Sequence, residues 1–173
     1  MSFYEESDMH FDPLFNSAEF QSFYIEKSEL YQNVKSDSVK SVEFVVVKNQ
    51  DFYFIEAKSS FPFTNPNEIK REEEDLYSKL HHTLDLFIAR NLGIKKHSAD
   101  SFPKNLGNAE VLDKKLAEHK LYFYLIMNGK FKEDWCENVL IILNDKLTPL
   151  RKIWDIEVKV ITEDNARELN FIQ

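Results

Sequence analysis

Three observations predict a single α/β domain built on a mixed sheet. Two apolar runs of strand length, 42–47 (VEFVVV) and 52–57 (FYFIEA), are joined by the short polar stretch KNQD, the pattern of an antiparallel hairpin. Two later apolar runs, 121–127 (LYFYLIM) and 156–161 (IEVKVI), each follow a stretch with helical spacing, and such helix–strand units need crossover connections. The 173 residues, 43% hydrophobic and 30% charged, suit one domain, 1–173, with a sizeable core.

Taken in order, residues 17–34 predict a short helix followed by a strand. Phe20, Phe23, Tyr24, Leu30 and Tyr31 fit helical spacing, and Asn16 with Glu19 resembles a capping box. The hairpin strands are apolar on both faces, so the sheet is expected to be covered on both sides. The longest helix is predicted over 66–92. Asn65 caps it, Pro66 takes its first position, Glu68 completes a capping box, and Leu76, Leu80, Leu84, Phe87 and Ile88 lie on its apolar stripe. A shorter helix is expected over 108–119. The strand 121–127 ends at Asn128-Gly129, and a helix follows over 133–147. Thr148-Pro149 then restarts a short helix ending near Trp154, and Thr162 caps a last one after the final strand.

Composition excludes several classes. Three glycines leave no Gly-rich phosphate loop. The single Cys136 excludes an intrachain disulfide, and His81, His82, His97 and His119 lack metal-ligand spacing. The acidic start MSFYEESDMHFDP has no apolar segment of the secretory kind, and no apolar run is long enough to span a bilayer. A cytoplasmic protein without membrane contact is the expectation. The net charge of −8 argues against broad electrostatic binding to nucleic acid. Only residues 95–132 are basic, with 8 Lys against 4 Asp and Glu, and they are either a solvated surface or a flank that contacts phosphates.

The hairpin carries the chemistry. A two-residue loop at Asn49-Gln50 makes paired positions sum to 99, which sets Glu43 opposite Glu56 with Cβ atoms roughly 5 Å apart. Lys58, two residues beyond Glu56, projects from the same face. Directly opposed carboxylates repel, so something must offset them. A divalent cation with hard oxygen ligands would do so, Mg²⁺ or Mn²⁺, with Lys58 beside its bound water. Alternatively Lys58 neutralises one glutamate and the trio is a structural ion pair.

An acidic residue, a turn and then Glu-Ala-Lys at the end of an apolar strand (SVEFVVV, DFYFIEAKSS) resemble the core hairpin of the PD-(D/E)xK nuclease-like superfamily. The later layout, with a long helix, YFYLIMNG, KIW, VKVIT and a terminal helix, is similar to that of small bacterial members. The resemblance implies a restriction-endonuclease-like αβββαβ core with helices on both faces and Mg²⁺- or Mn²⁺-dependent hydrolysis of phosphodiester bonds. It makes Glu43 and Glu56 metal ligands, the Ala57 carbonyl a backbone ligand, and Lys58 the catalytic lysine. Members often add a glutamate from the first helix, for which Glu19, Glu26 and Glu29 are candidates. They also often add a polar residue on the helix after the motif, for which Lys79 and His82 are candidates. Two departures stand out: the first acidic position is usually Asp, and no Pro precedes it here. A catalytically inactive module for protein interaction is the alternative, and a homodimer through an exposed sheet edge is a third expectation.

Overall fold

The computed structural model describes residues 4–11, 16–17, 20–94, 104–129 and 131–172. Its centre is a mixed sheet, built outward from the hairpin of β5 (Phe44–Lys48) and β6 (Asp51–Lys58). Lys48 pairs with Asp51 and Phe44 with Ile55, so paired numbers do sum to 99. Asn49 and Gln50 both have positive φ, 51° and 71°, the type I′ geometry whose twist matches the strands it joins. Before β5 runs β4 (Phe20–Tyr24), antiparallel to it, with the two-residue β3 (Asn16–Ser17) outside. After β6 come β7 (Leu121–Met127) and β8 (Ile156–Thr162), both parallel to it, in the spatial order β3-β4-β5-β6-β7-β8.

The parallel pairs require crossovers, and α2 (Pro66–Asn91) and α3 (Glu133–Trp154) supply them. The Asn65 side chain accepts the Asn67 N–H at 3.0 Å and Pro66 opens α2, as predicted. Glu68 does not close a capping box; its carboxylate takes the Asn65 amide at 3.1 Å instead. Strand alternation points Phe52, Phe54 and Glu56 to one face, where Phe87 of α2 meets Phe52 and Phe54 edge-on at 5.2 and 6.0 Å. Helix α3 lies beside α2, joined by the Lys146–Glu74 ion pair at 2.9 Å. Where helices were expected on both faces, the two long ones share one. The opposite face is covered by the hairpin of β1 (Tyr4–Glu6) and β2 (Met9–Phe11), whose Phe11 stacks on Phe44 at 4.4 Å. Phe171, beyond α4 (Glu163–Glu168), packs there on Tyr53 and Tyr124 at 5.2 and 5.5 Å.

Three further expectations are corrected. Residues 17–34 form the strand first and helix second: β4, a 3₁₀ turn at Ile25–Lys27, then α1 (Glu29–Gln32). Pairing with β5 overrides the helical spacing of Phe20, Phe23 and Tyr24. Asn16 lies in β3, and Glu19 is outside the described residues. Residues 108–119 are two 3₁₀ segments, Ala109–Asp113 and Leu116–Glu118, separated by an extended Lys114 (ψ 138°). Finally, α3 runs through Pro149 without a restart, because the Asp145 carbonyl that loses its donor sits on the exposed side. Thr162 caps α4 in a full capping box with Asn165, as expected.

Candidate metal centre

The β5–β6 ladder ends at Phe44–Ile55, and there the chain before β5 leaves the sheet. Helix α2 holds it away. The Val42 N–H donates to Thr83 Oγ1 and the Lys40 N–H to His82 Nδ1, both at 3.0 Å. His82 is therefore an anchor for backbone, and burial, with the nearby His81 and Lys40 charges, lowers its pKa. The Ala57 N–H, left without a strand carbonyl, donates to the Glu43 carboxylate at 2.8 Å. Glu43 thus lies one residue past the ladder and satisfies a backbone donor, where the register alone set it directly opposite Glu56.

Around this opening four glutamates gather. Glu6, Glu26 and Glu43 each bring a carboxylate oxygen within 4.8 Å of the other two. Glu56 adjoins them from β6, fully buried. Glu6 arrives on the β1–β2 hairpin, whose turn residues Ser7 and Asp8 both have positive φ and whose Ser7 hydroxyl donates to the Ala57 carbonyl at 3.0 Å. That carbonyl is the predicted backbone ligand. Glu26 comes from the 3₁₀ turn after β4, where its N–H donates to the Glu43 carbonyl at 3.4 Å. Glu29, on α1, is exposed and outside the cluster.

The lysines are placed differently from the expectation. Lys79 of α2, with its side chain 17% exposed, forms the ion pair with Glu56 Oε1. Lys58 is turned to α2 as well, 2.5 Å from Glu72 and 3.7 Å from Asp75. The direct counter-ion of Glu56 is therefore Lys79, and Lys58 acts on it only at longer range. Glu56 Oε2 is buried and has no hydrogen-bond partner among the described residues.

The electrostatics follow from this crowding. Burial, then the Glu56 charge, pushes Glu43 well above the ordinary carboxylate range, against the opposing pull of Lys79. Burial pushes Glu56 up to about 7 although Lys79 and Lys58 oppose it. Burial also raises Glu6, and it raises the Tyr31 phenol beside Glu26. For Lys79, burial disfavours the charge, but Glu56 outweighs it and the pKa rises. With all four carboxylates ionised the site would carry more negative charge than Lys79 on Glu56 and Lys27 on Glu6 neutralise, and hard oxygen ligands in that state accept a divalent cation.

Sequence reasoning named Glu43 and Glu56, Lys79 and His82 as helix candidates, and Glu26 among several, and of these Glu26, Glu43, Glu56 and Lys79 lie together here. It missed Glu6. The Ser7-Asp8 pair between two short runs was the available signal, since such residues favour two-residue turns. The lysines of 95–132 that are described do not gather at the carboxylates. Lys115 pairs with Glu118 at 3.5 Å, and Lys120, beside Phe52 at the start of β6, pairs with Glu157 at 3.1 Å. No described helix is long and apolar enough to cross a membrane. No family model matches the chain, and neither the curated proteins nor the solved structures give a match.

Proposed function

We propose that the chain is a metal-dependent hydrolase of phosphodiester bonds in nucleic acid, of the PD-(D/E)xK nuclease-like kind. The observation that carries this is Glu56: a fully buried carboxylate, beside Glu43, with one oxygen lacking any partner among the described residues. An unsatisfied buried carboxylate oxygen costs free energy, and a structural role alone does not account for placing one beside three other glutamates. A cation offsets that cost. Glu43 and Glu56 would hold Mg²⁺ or Mn²⁺ together with Glu6 or Glu26, and the Ala57 carbonyl stands beside them. When bound, the ion would lower the pKa of its water and stabilise charge on a phosphate. The Lys79 charge opposes the effect of burial on Glu56 and favours its ionised form. Lys58 would meet a phosphate only after leaving Glu72. The succession β4, β5, β6, α2, β7 supports the restriction-endonuclease-like core, in which three strands precede a helix and a strand. The helix implied before them is not found among the described residues.

The test is cleavage of labelled DNA and RNA with Mg²⁺ or Mn²⁺. Glu56→Gln and Lys58→Ala are each expected to lose about 100-fold or more of the rate. No cleavage of any substrate with either ion would refute the proposal. One observation favours the second reading, a protein-interaction module with an inactive centre: the ion pairs of Lys58 with Glu72 and Asp75 hold it away from the glutamates. Such a module would bind no divalent cation at Glu43 and Glu56.

A further inference from the structure

We propose that the exposed Phe63 and Trp135, packed around the partly buried Phe131, form a stacking platform for unpaired bases, which makes single-stranded nucleic acid the substrate class of the neighbouring centre. This rests on the hydrolase reading of that centre and deepens it.

Phe63 and Trp135 are 40% and 42% exposed, and they are the exposed Phe, Tyr and Trp rings of the described chain. They stand together, with centroids 6.1 Å apart, and Phe131 is 6.2 Å from Phe63 and 5.6 Å from Trp135. The other large apolar residues exposed to this degree, such as Leu92, Ile141 and Ile153, are aliphatic. The cluster is made by the two loops that leave β6 and β7 at their carboxyl ends, which carry Phe63 and Phe131, and by the first turn of α3, which carries Trp135. Those ends are tied together by the Asn128 N–H, which donates to the Lys58 carbonyl at 3.0 Å. Ligands of open α/β sheets bind at that end of the strands. Along the loop that carries Phe63 lies an open pocket of about 370 Å³, lined by Phe61 and Pro62 of that loop and by Glu68, Arg71 and Glu72 of α2. Phe61 is 5.8 Å from Phe63, and Glu72 holds Lys58, so the pocket joins platform to centre.

The chemistry selects the ligand. The exposed parts of Phe63 and Trp135 suit contact with the π-face of a base, and in a duplex those faces are already stacked on neighbours. Lys132, next to Phe131 in the chain, and Arg71, which shares the pocket with Glu68 and Glu72, are exposed, have no ion-pair partner among the described residues and suit one or two phosphates. A chain of net charge −8 gains little more from phosphate contact, so affinity must come chiefly from the bases and depend weakly on salt.

The experiment measures anisotropy of labelled oligothymidylate, oligouridylate and a duplex of the same length, about ten nucleotides each, in chelator so that no cleavage occurs. Both single strands are expected to bind at least about tenfold more tightly than the duplex. Phe63→Ala and Trp135→Ala should each weaken binding by about tenfold, and Trp135→Phe should retain most of it. Both positions are exposed, and unchanged melting curves would verify folding. Duplex binding equal to single-strand binding, or affinity indifferent to both alanine variants, would overturn the proposal. Ring-dependent binding by a protein that binds no Mn²⁺ would uphold the platform and remove the hydrolase. Cleavage with ring-independent affinity would do the reverse.

Discussion

Glu56 is where sequence, burial and charge meet. A fully buried carboxylate whose pKa is raised to about 7 keeps, in the folded state, a proton that the unfolded state releases near 4.5. Between those values the folded chain binds more protons than the unfolded one, so stability falls as pH rises through that window. Glu43, also raised, adds to the same trend. His82 works in the opposite direction, because its folded pKa is lowered. Melting temperature measured in chelator from about pH 5 to pH 8 should therefore fall more steeply in the wild type than in Glu56→Gln. A saturating divalent cation should remove that difference, since it favours the ionised carboxylates; parallel curves in chelator would contradict the assignment. At this scale the glutamates of the hairpin were legible because a two-residue turn fixes register. The lysine was not. Lys58 and Lys79 both reach the Glu56 face, and which one pairs depends on how α2 lies over β6, which no local spacing encodes.

At the level of elements, the centre exists because β5 and β6 part after Phe44–Ile55 and α2 takes over the freed backbone. Thr83→Val keeps the shape and removes the acceptor of the Val42 N–H. It should cost about 1–3 kcal/mol in denaturant unfolding and weaken cation binding, because residues 41–43 lose their anchor. Retained stability and affinity would mean that α2 does not hold the segment. Gly107 is a second such point. Its φ is +101°, and a Cβ there would lie 2.3 Å from the Ser22 carbonyl oxygen of β4. Gly107→Ala should destabilise by at least about 2 kcal/mol, and a melting point within a degree or two of wild type would refute this. The elements most easily legible were those with their own chemistry: the I′ hairpin, the Asn65–Pro66 start of α2 and the Thr162 cap. Those misread depend on neighbours. Residues 20–24 carry helical spacing but become a strand because the β5 edge is beside them.

Across the whole molecule, the centre draws on both faces of the sheet. Glu6 belongs to the hairpin over one face, Lys79 to the helix over the other, and Glu43 and Glu56 to the strands between. Cation binding is therefore expected to tighten parts distant in sequence. Hydrogen exchange followed by mass spectrometry should show added protection on Mg²⁺ addition in residues 4–11 together with 56–58, and none in the Leu116–Glu118 turn. Protection confined to 56–58 would leave Glu6 out of the site. The α/β class and the parallel addition of β7 and β8 were legible from strand and helix alternation. The shared face of α2 and α3 follows from two successive crossovers of one hand, while the covering of the other face by terminal segments carried no periodic signal.

The central claim is that the glutamates form a cation site in which Lys79 stands as the competing charge. Calorimetric titration of Mn²⁺ into wild type, Glu43→Gln and Lys79→Met at about pH 7.5 tests it most directly, above the pKa of about 7 for Glu56. The expected result is binding by the wild type, loss in Glu43→Gln, and tighter binding in Lys79→Met, whose uncompensated carboxylates gain more from the ion. Absence of Mn²⁺ binding in the wild type and in Lys79→Met alike would contradict it, leaving Glu56 and Lys79 as a buried structural ion pair.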